Sequence, residues 1–163
     1  MSQITLEVAD YSEKYAEIQS VRIQVFQIEQ GVDPSLEFDG KDETAEHIIA
    51  YLENQPVGTT RIRYLEQKIA KIERLAVLST TRGRGIGKQL MEKALERVAQ
   101  KNVREVVVHA QEYVKGLYQK LGFEQVGERF EEAGIAHVKM IKRLKNCINS
   151  NPHALIKMRK RLG

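Results

Sequence analysis

A single cysteine, Cys147, among 163 residues excludes an intramolecular disulfide and a cysteine-based metal cluster. No apolar run approaches the roughly 18–20 residues that a membrane-spanning helix requires, so a membrane is not an expected partner. The opening MSQITLEVAD alternates apolar with polar residues and carries acids early, unlike a secretory leader, which makes a cytoplasmic location the expectation. Repeats of about 20–50 residues and low-complexity segments are both missing, which excludes a solenoid. Acids are absent from residues 142–163, which hold Lys142, Arg143, Lys145, Lys157, Arg159, Lys160 and Arg161. The whole chain has 26 Lys and Arg against 22 Asp and Glu; without those seven, 19 basic residues face 22 acidic ones. The body of the chain is therefore slightly acidic and the basicity belongs to a tail, which argues against a nucleic-acid partner.

What is present suits one soluble domain with a real core: 42% hydrophobic and 29% charged residues at a length too short for two comfortable domains. Ile4 to Val8 alternates as a strand does, and Asp10 with Glu13 has the spacing of a capping box. The helix that follows places Tyr15, Ile18, Val21, Val25 and Ile28 on one face, until Gly31 and Pro34 break it. Asp33 to Glu43 reads as a polar loop. HIIAYLE, PVGTTRIRYLE and KIAKIERLAV read as three strands joined by tight turns. Gly85 to Gln100 is an amphipathic helix, Val106 to Ala110 a short buried strand, and Glu112 to Leu121 a second helix stopped by Gly122. Strands around Gln125–Phe130 and Ile135–Ile141 complete a β-α-βββ-α-β-α-ββ order, which means a mixed α/β or α+β domain. The expected domain spans residues 1–144, and residues 145–163 form a basic tail with a short helix.

The segment RLAV-LSTT-RGRGIGKQ carries the chemistry: a strand, a short polar loop, then glycines leading into a helix. A first helical turn leaves backbone N–H groups without partners and favours an anion, while glycines let a phosphate approach the backbone. A Walker A loop ending at Lys88 fails, because Arg82 stands where Gly is needed and Gln89 where Ser or Thr is needed. Dinucleotide fingerprints starting at Gly83 or Gly85 fail at Lys88 and Leu90. A pattern of Arg or Gln, two residues, Gly, one residue, and Gly or Ala is satisfied by Arg82, Gly85 and Gly87.

That pattern resembles the pyrophosphate loop of the GNAT superfamily of N-acetyltransferases. About thirty residues later, QEYVKGLYQKLGF resembles the family's second signature through Tyr118, Gly122 and Phe123, with Gln111 where many members carry Asn and Val114 where many carry Ala. The likeness runs to Leu144, and VFQIEQGV, EFDGKDETAEH, VGTTRIR, HAQ and GERFEEAGIAHVKM look like the ElaA-like branch in particular. The resemblance implies a central, mostly antiparallel twisted sheet flanked by helices and splayed at an acetyl-CoA site. It implies direct transfer of an acetyl group from acetyl-CoA to a primary amine, on a small molecule or a peptide, with no metal. Cofactor binding falls to Arg82, Gly83, Arg84, Gly85, Ile86, Gly87 and Lys88 at the pyrophosphate, to Leu75, Ala76 and Val77 along the pantetheine arm, and to Gln111 and Tyr118. Glu73 occupies a position where several related enzymes have their base, and Tyr118 fits the acid beside the thioester sulfur.

Other readings stay open. Glu73 equally suits a strand carboxylate paired with Arg61 or Arg63. His47, His109 and His137 lie on three predicted strands with no i,i+4 pair, so they are not a metal set; they either border the acceptor pocket or are structural. Asp39, Asp42 and Glu43 either attract a cationic acceptor or simply solvate a loop. A coenzyme-binding module without turnover, or a ribosome- or nucleic-acid-associated protein acting through Lys157 to Arg161, are the alternatives to an enzyme. The tail also suits a contact between two copies.

Overall fold

A computed structural model describes residues 3–145. Cys147 and the basic stretch from Lys157 to Arg161 lie outside the described residues, as does any helix in the tail. Within them the predicted order holds with one short helix, α2, added in the expected loop: β1 (Ile4–Asp10), α1 (Tyr11–Arg22), α2 (Pro34–Glu37), β2 (Glu46–Leu52), β3 (Gln55–Tyr64), β4 (Ile69–Val77), α3 (Ile86–Gln100), β5 (Glu105–Gln111), α4 (Lys115–Lys120), β6 (Glu124–Glu132) and β7 (Ile135–Arg143). The seven strands form one sheet in the order β1-β2-β3-β4-β5-β7-β6. All neighbours are antiparallel except β4 and β5.

The amphipathic pattern of α3 explains the larger core. Ile86, Leu90, Met91, Ala94 and Val98 are buried against Ile48, Ile62, Ile72 and Val106 of the sheet. Each such large side chain contributes about 1.5–3 kcal/mol on leaving water. The helix can lie this close because β3 carries Gly58, where an added Cβ would come 2.9 Å from Leu90 Cδ1. The opposite face is covered by α1, whose Ile18 packs on Ala9 and Ile49, and by Val21, Val25 and Phe26 on Ala76.

Three local expectations give way. Asp10 makes no side-chain cap on α1. The apolar stripe predicted through Tyr15 and Ile28 is interrupted: both are exposed, 54% and 66%, while Ile18, Val21 and Val25 are buried. For Ile28 the reason is a π-helical continuation, Ile23–Glu29, whose wider turn shifts the phase that a 3.6-residue period assumes; Tyr15 lies ahead of it, next to a break in helical geometry at Lys14, and packs on Tyr11. Pro34 does not merely break the helix; it starts α2, with Asp33 Oδ1 accepting from the Ser35 amide at 2.9 Å.

The feature that positions the site is a bulge in β4. Arg74 has φ of 58°, and the β3–β4 register slips between Thr59 and Arg61. A bulge bends its strand. The consequence is plain on the other edge: β4 pairs with β5 only from Ile69 to Lys71, against Glu105 to Val107. Beyond that point β4 stays with β3 and β5 stays with β7, so the sheet opens as a wedge. The left-handed backbone at a residue other than glycine costs about 1–2 kcal/mol. Arg74 Nη2 offsets it by donating to the carbonyls of Leu36 and Glu37, both at 3.2 Å.

Candidate active site

The wedge between β4 and β5 widens into a cavity of about 660 Å³. At its mouth the chain turns from β4 through a 3₁₀ turn, Ser79–Thr81, into the first turn of α3. Gly83 and Gly85 have φ of 82° and 78°, a conformation that glycine adopts freely. The first helical amide bond in α3 is that of Gln89 to the Gly85 carbonyl, at 3.0 Å, so the amides just ahead of it face the mouth without helical partners. Gly83, Gly85, Ile86, Gly87 and Lys88 all line the cavity. Arg84 is exposed and outside the lining. The Arg82 guanidinium is engaged within the chain: Nη1 donates to Glu29 Oε2 at 2.6 Å and Nε to the Val77 carbonyl at 3.0 Å. Its side chain thus ties the loop to the end of the π-helical segment.

Leu75 and Val77 line the same cavity from β4, whereas the Ala76 side chain points to the other face and joins Val21, Val25 and Phe26. Backbone groups on this edge of β4 have lost β5 as a partner, and an extended amide-bearing chain is what such an edge accommodates. Gln111 reaches across the opening; its Nε2 donates to Gln30 Oε1 at 3.0 Å. Tyr118 of α4 is 6% exposed, edge-on to Phe123 at 5.8 Å, and borders the cavity. Burial holds its hydroxyl proton more tightly than in a free tyrosine, so it is a donor at neutral pH.

Beyond Tyr118 the cavity has two unlike walls. On β3, β4 and the segment after α2, carboxylates and guanidiniums interlock. Arg61 is fully buried; its Nη1 bonds Asp42 at 2.9 Å and its Nη2 bonds Asp39 and Glu73, both at 2.8 Å. Arg22, also buried, holds Glu37 at 2.6 Å and Asp42. Glu73 receives Arg61, Arg63 and, at 3.5 Å, Lys71. Burial alone would raise the Glu73 pKa; the Arg63 hydrogen bond and the charges of Arg61 and Lys71 outweigh it, and the carboxyl sits below its ordinary value. The polar loop of the sequence reading is thus largely a buried ionic network: Glu37 and Asp42 are inside, and Asp39 joins Arg61, while Glu43 is exposed. His47 belongs to this structural set as well, buried with Nε2 2.9 Å from the Asp42 carbonyl.

The facing wall, on β5, β6 and β7, presents His109, Glu132 and His137 to the cavity. His109 Nδ1 lies 3.5 Å from Glu132 Oε1, and His137 Nε2 lies 3.7 Å from Glu132 Oε2. Phe130 fills the space between the imidazoles, edge-on to His109 and stacked on His137. No sequence periodicity announces this cluster, because its members come from three strands joined only by the sheet register. Its one signal was the setting of each histidine in a strand that the family resemblance brought near the acceptor. Among the described residues no group of three or more His, Cys, Asp or Glu side chains is arranged to hold a metal ion, and no helix is long and apolar enough to cross a membrane.

A sheet wedge, a glycine loop at a helix start and a tyrosine on the following helix define a class of acyl-transferring enzyme. The acetyltransferase (GNAT) domain family matches residues 7–144, and the chain belongs to it. It is 39% identical over 127 residues to the protein YyaT of Bacillus subtilis, covering 76% of this chain and 85% of that one. It is 34% identical over 134 residues to ElaA of Escherichia coli, covering 79% and 86%. The crystal structure of Escherichia coli ElaA superposes with a TM-score of 0.78 at 29% identity, over 86% of this chain and all of that one. An acyl-CoA N-acyltransferase from Pseudomonas aeruginosa gives 0.73 at 29% identity, over 87% and 99%. The family uses acetyl-CoA.

Proposed function

We propose that the chain transfers the acetyl group of acetyl-CoA directly to a primary amine of a small molecule or a peptide, in the cytoplasm, through a domain of residues 1–144. The observation that carries this reading is the wedge itself: one cavity joins the α3 start, the unpaired β4 edge and Tyr118. The residues present fit the coenzyme. The Gly83 and Gly85 conformations leave nothing within 4 Å of where a Cβ would sit, so a pyrophosphate can reach the amides of the loop. Arg82 acts by fixing that loop to Glu29, with Lys88 supplying positive charge at the rim, and Arg84 contributing at longer range. The backbone of Leu75, Ala76 and Val77 pairs with the pantetheine amides. Gln111, paired with Gln30, closes the far side of the channel.

When bound, the coenzyme supplies an acetyl thioester that an amine can attack without any covalent enzyme intermediate. Amines of pKa near 8 to 10 are mostly protonated at pH 7, so the chain must accept a proton on one side and offer one on the other. Tyr118 offers it, since a buried phenol remains protonated and borders the cavity. Glu73 remains ionised and can orient an ammonium through water, but three surrounding cations lower its proton affinity, which is the reverse of what a base needs.

Calorimetry with CoA followed by thiol release from acetyl-CoA across a panel of primary amines tests the reading. Binding with release supports transfer. Binding without release for any amine points to the coenzyme-binding module instead, and no binding removes both.

A further inference from the structure

We propose that His109, oriented by Glu132, is the base that takes the proton from the acceptor amine. This rests on the amine-acetylation reading above and adds to it the proton acceptor that Glu73 is badly placed to be.

The first support is position. His109 lies on β5 two residues beyond Val107, the last residue paired with β4, so it stands where the wedge has just opened. Its side chain is 27% exposed and borders the cavity, while Nδ1 is buried without a hydrogen-bond partner. In this proposal the Nε2 side of the ring is placed toward the cavity.

The second is tautomer control. A general base on an imidazole needs its remote nitrogen protonated and held, so that the near nitrogen presents a lone pair. Glu132 Oε1 lies 3.5 Å from Nδ1, just beyond a hydrogen bond, and becomes the acceptor for that proton when the site closes by a few tenths of an ångström. In its neutral form the other imidazole does not compete for it. His137 donates its Nδ1 proton to the Ile135 carbonyl at 2.7 Å, so in the neutral ring its Nε2, which faces Glu132, has no proton to give. One carboxylate therefore stands between two imidazoles and can accept from His109. A contact of 3.5 Å is long for a hydrogen bond, as is common before substrate closes a site.

The third is charge. The groups facing His109 are Lys71 from β4, Phe130 and Glu132 from β6, and His137 and Lys139 from β7. Burial, then Lys71 and Lys139, push the imidazole below its ordinary pKa, and Glu132 only partly opposes them. The ring is neutral at pH 7 and able to accept.

The step balances as follows. The ammonium first releases one proton to solvent; the amine lone pair then forms the new C–N bond at the thioester carbonyl and the C–S bond breaks. The amine proton passes to His109 Nε2, and the departing sulfur takes the Tyr118 hydroxyl proton. The proton on His109 returns to Tyr118 through solvent. Glu132 is a positioning residue and is unchanged.

The test uses the full chain saturated with CoA and labelled with ¹⁵N-histidine. Long-range ¹H–¹⁵N spectra at pH 7 should show His109 neutral with its proton on Nδ1, and Glu132→Gln should move part of that proton to Nε2. A wild-type ring protonated on Nε2, or on both nitrogens, overturns the proposal. A kinetic arm follows CoA release with spermidine, L-lysine, phenethylamine and a short peptide with a free N-terminus. With whichever of these is acetylated, His109→Gln should lower kcat about 100-fold and abolish the acidic limb of the pH profile, with the acetyl-CoA KM little changed. Glu73→Gln should keep that limb. An unaltered limb in His109→Gln fails the base alone. CoA binding with no release for any of the four amines fails the transfer reading, and the base with it.

Discussion

The two walls of the cavity are built from the same kinds of charged and polar side chains and behave in opposite ways. On the β3–β4 wall the carboxylates of Glu37, Asp39, Asp42 and Glu73 are each bound by at least one guanidinium, and two of the arginines are buried outright. On the β5–β7 wall a half-exposed Glu132 faces two imidazoles, one with an unmatched buried nitrogen. The first wall contains neutralised charge that fixes the shape of the segment after α2 and supports the bulge at Arg74. The second retains proton-accepting capacity because its groups are incompletely satisfied. Shifted pKa values occur on both, so a shift alone does not mark the chemistry; what distinguishes the walls is whether partners within the chain already use up the hydrogen-bonding capacity.

The largest effect should come from breaking the first wall. Arg61→Met leaves Asp39, Asp42 and Glu73 without their shared cation, and a loss of about 3–5 kcal/mol in denaturant unfolding is expected. A change below about 1 kcal/mol would show that the network is not what fixes this wall. The same network predicts acid sensitivity. Folding lowers the pKa values of Asp39, Asp42 and Glu73, so near pH 4 the folded chain binds fewer protons than the unfolded chain. Their contribution is complete above about pH 5, where the unfolded carboxyls are ionised, and is lost as pH falls through the lower folded values. Stability that stayed flat from pH 6 to pH 3 would contradict it.

Next in size is the mouth of the cavity. Gly85→Asp puts a carboxylate where the pyrophosphate is to lie, and CoA affinity measured by calorimetry should fall about 100-fold, or about 3 kcal/mol. Tyr118→Phe removes one hydrogen bond to a group that becomes charged in the reaction. It should lower kcat about 10- to 100-fold with less change in acetyl-CoA affinity, read from steady-state kinetics. Equal turnover would remove the tyrosine from the proton-donor role. The smallest effect on turnover is expected at Glu73, where Glu73→Gln, assayed at a temperature where the variant is folded, should cost kcat less than about 10-fold. A loss matching that of His109→Gln would erase the distinction between the walls.

The fold was legible because each element announces itself locally: the stripe Ile86–Leu90–Met91–Ala94–Val98, the alternation of Ile4 to Val8, and the turns between β2, β3 and β4. The loop at Arg82 to Lys88 was legible for the same reason, since its glycines and helix start are contiguous in sequence. The exposure of Ile28 was not, because a π-helical turn changes the period without any marker residue, nor was that of Tyr15, which follows a break in helical geometry at Lys14. Nor was the burial of Glu37 and Asp42, whose partners Arg22 and Arg61 are 15 to 20 residues away along the chain. The His109–Glu132–His137 cluster is the extreme case. Its registry is set by β5–β7 and β6–β7 pairing, where His109 sits opposite Lys139 and Glu132 opposite Ile135, and nothing in a single strand encodes that meeting.

The central claim is that the wedge between β4 and β5 is where the coenzyme lies and where the acetyl group is handed over. A crystal structure of the full chain with CoA tests it most directly. The account predicts the pyrophosphate on the amides of residues 83–88, the pantetheine arm along Leu75 to Val77, and the sulfur within hydrogen-bonding reach of the Tyr118 hydroxyl, with His109 on the far side. A coenzyme seated elsewhere on the molecule, or one whose sulfur points away from Tyr118 and His109, would contradict it.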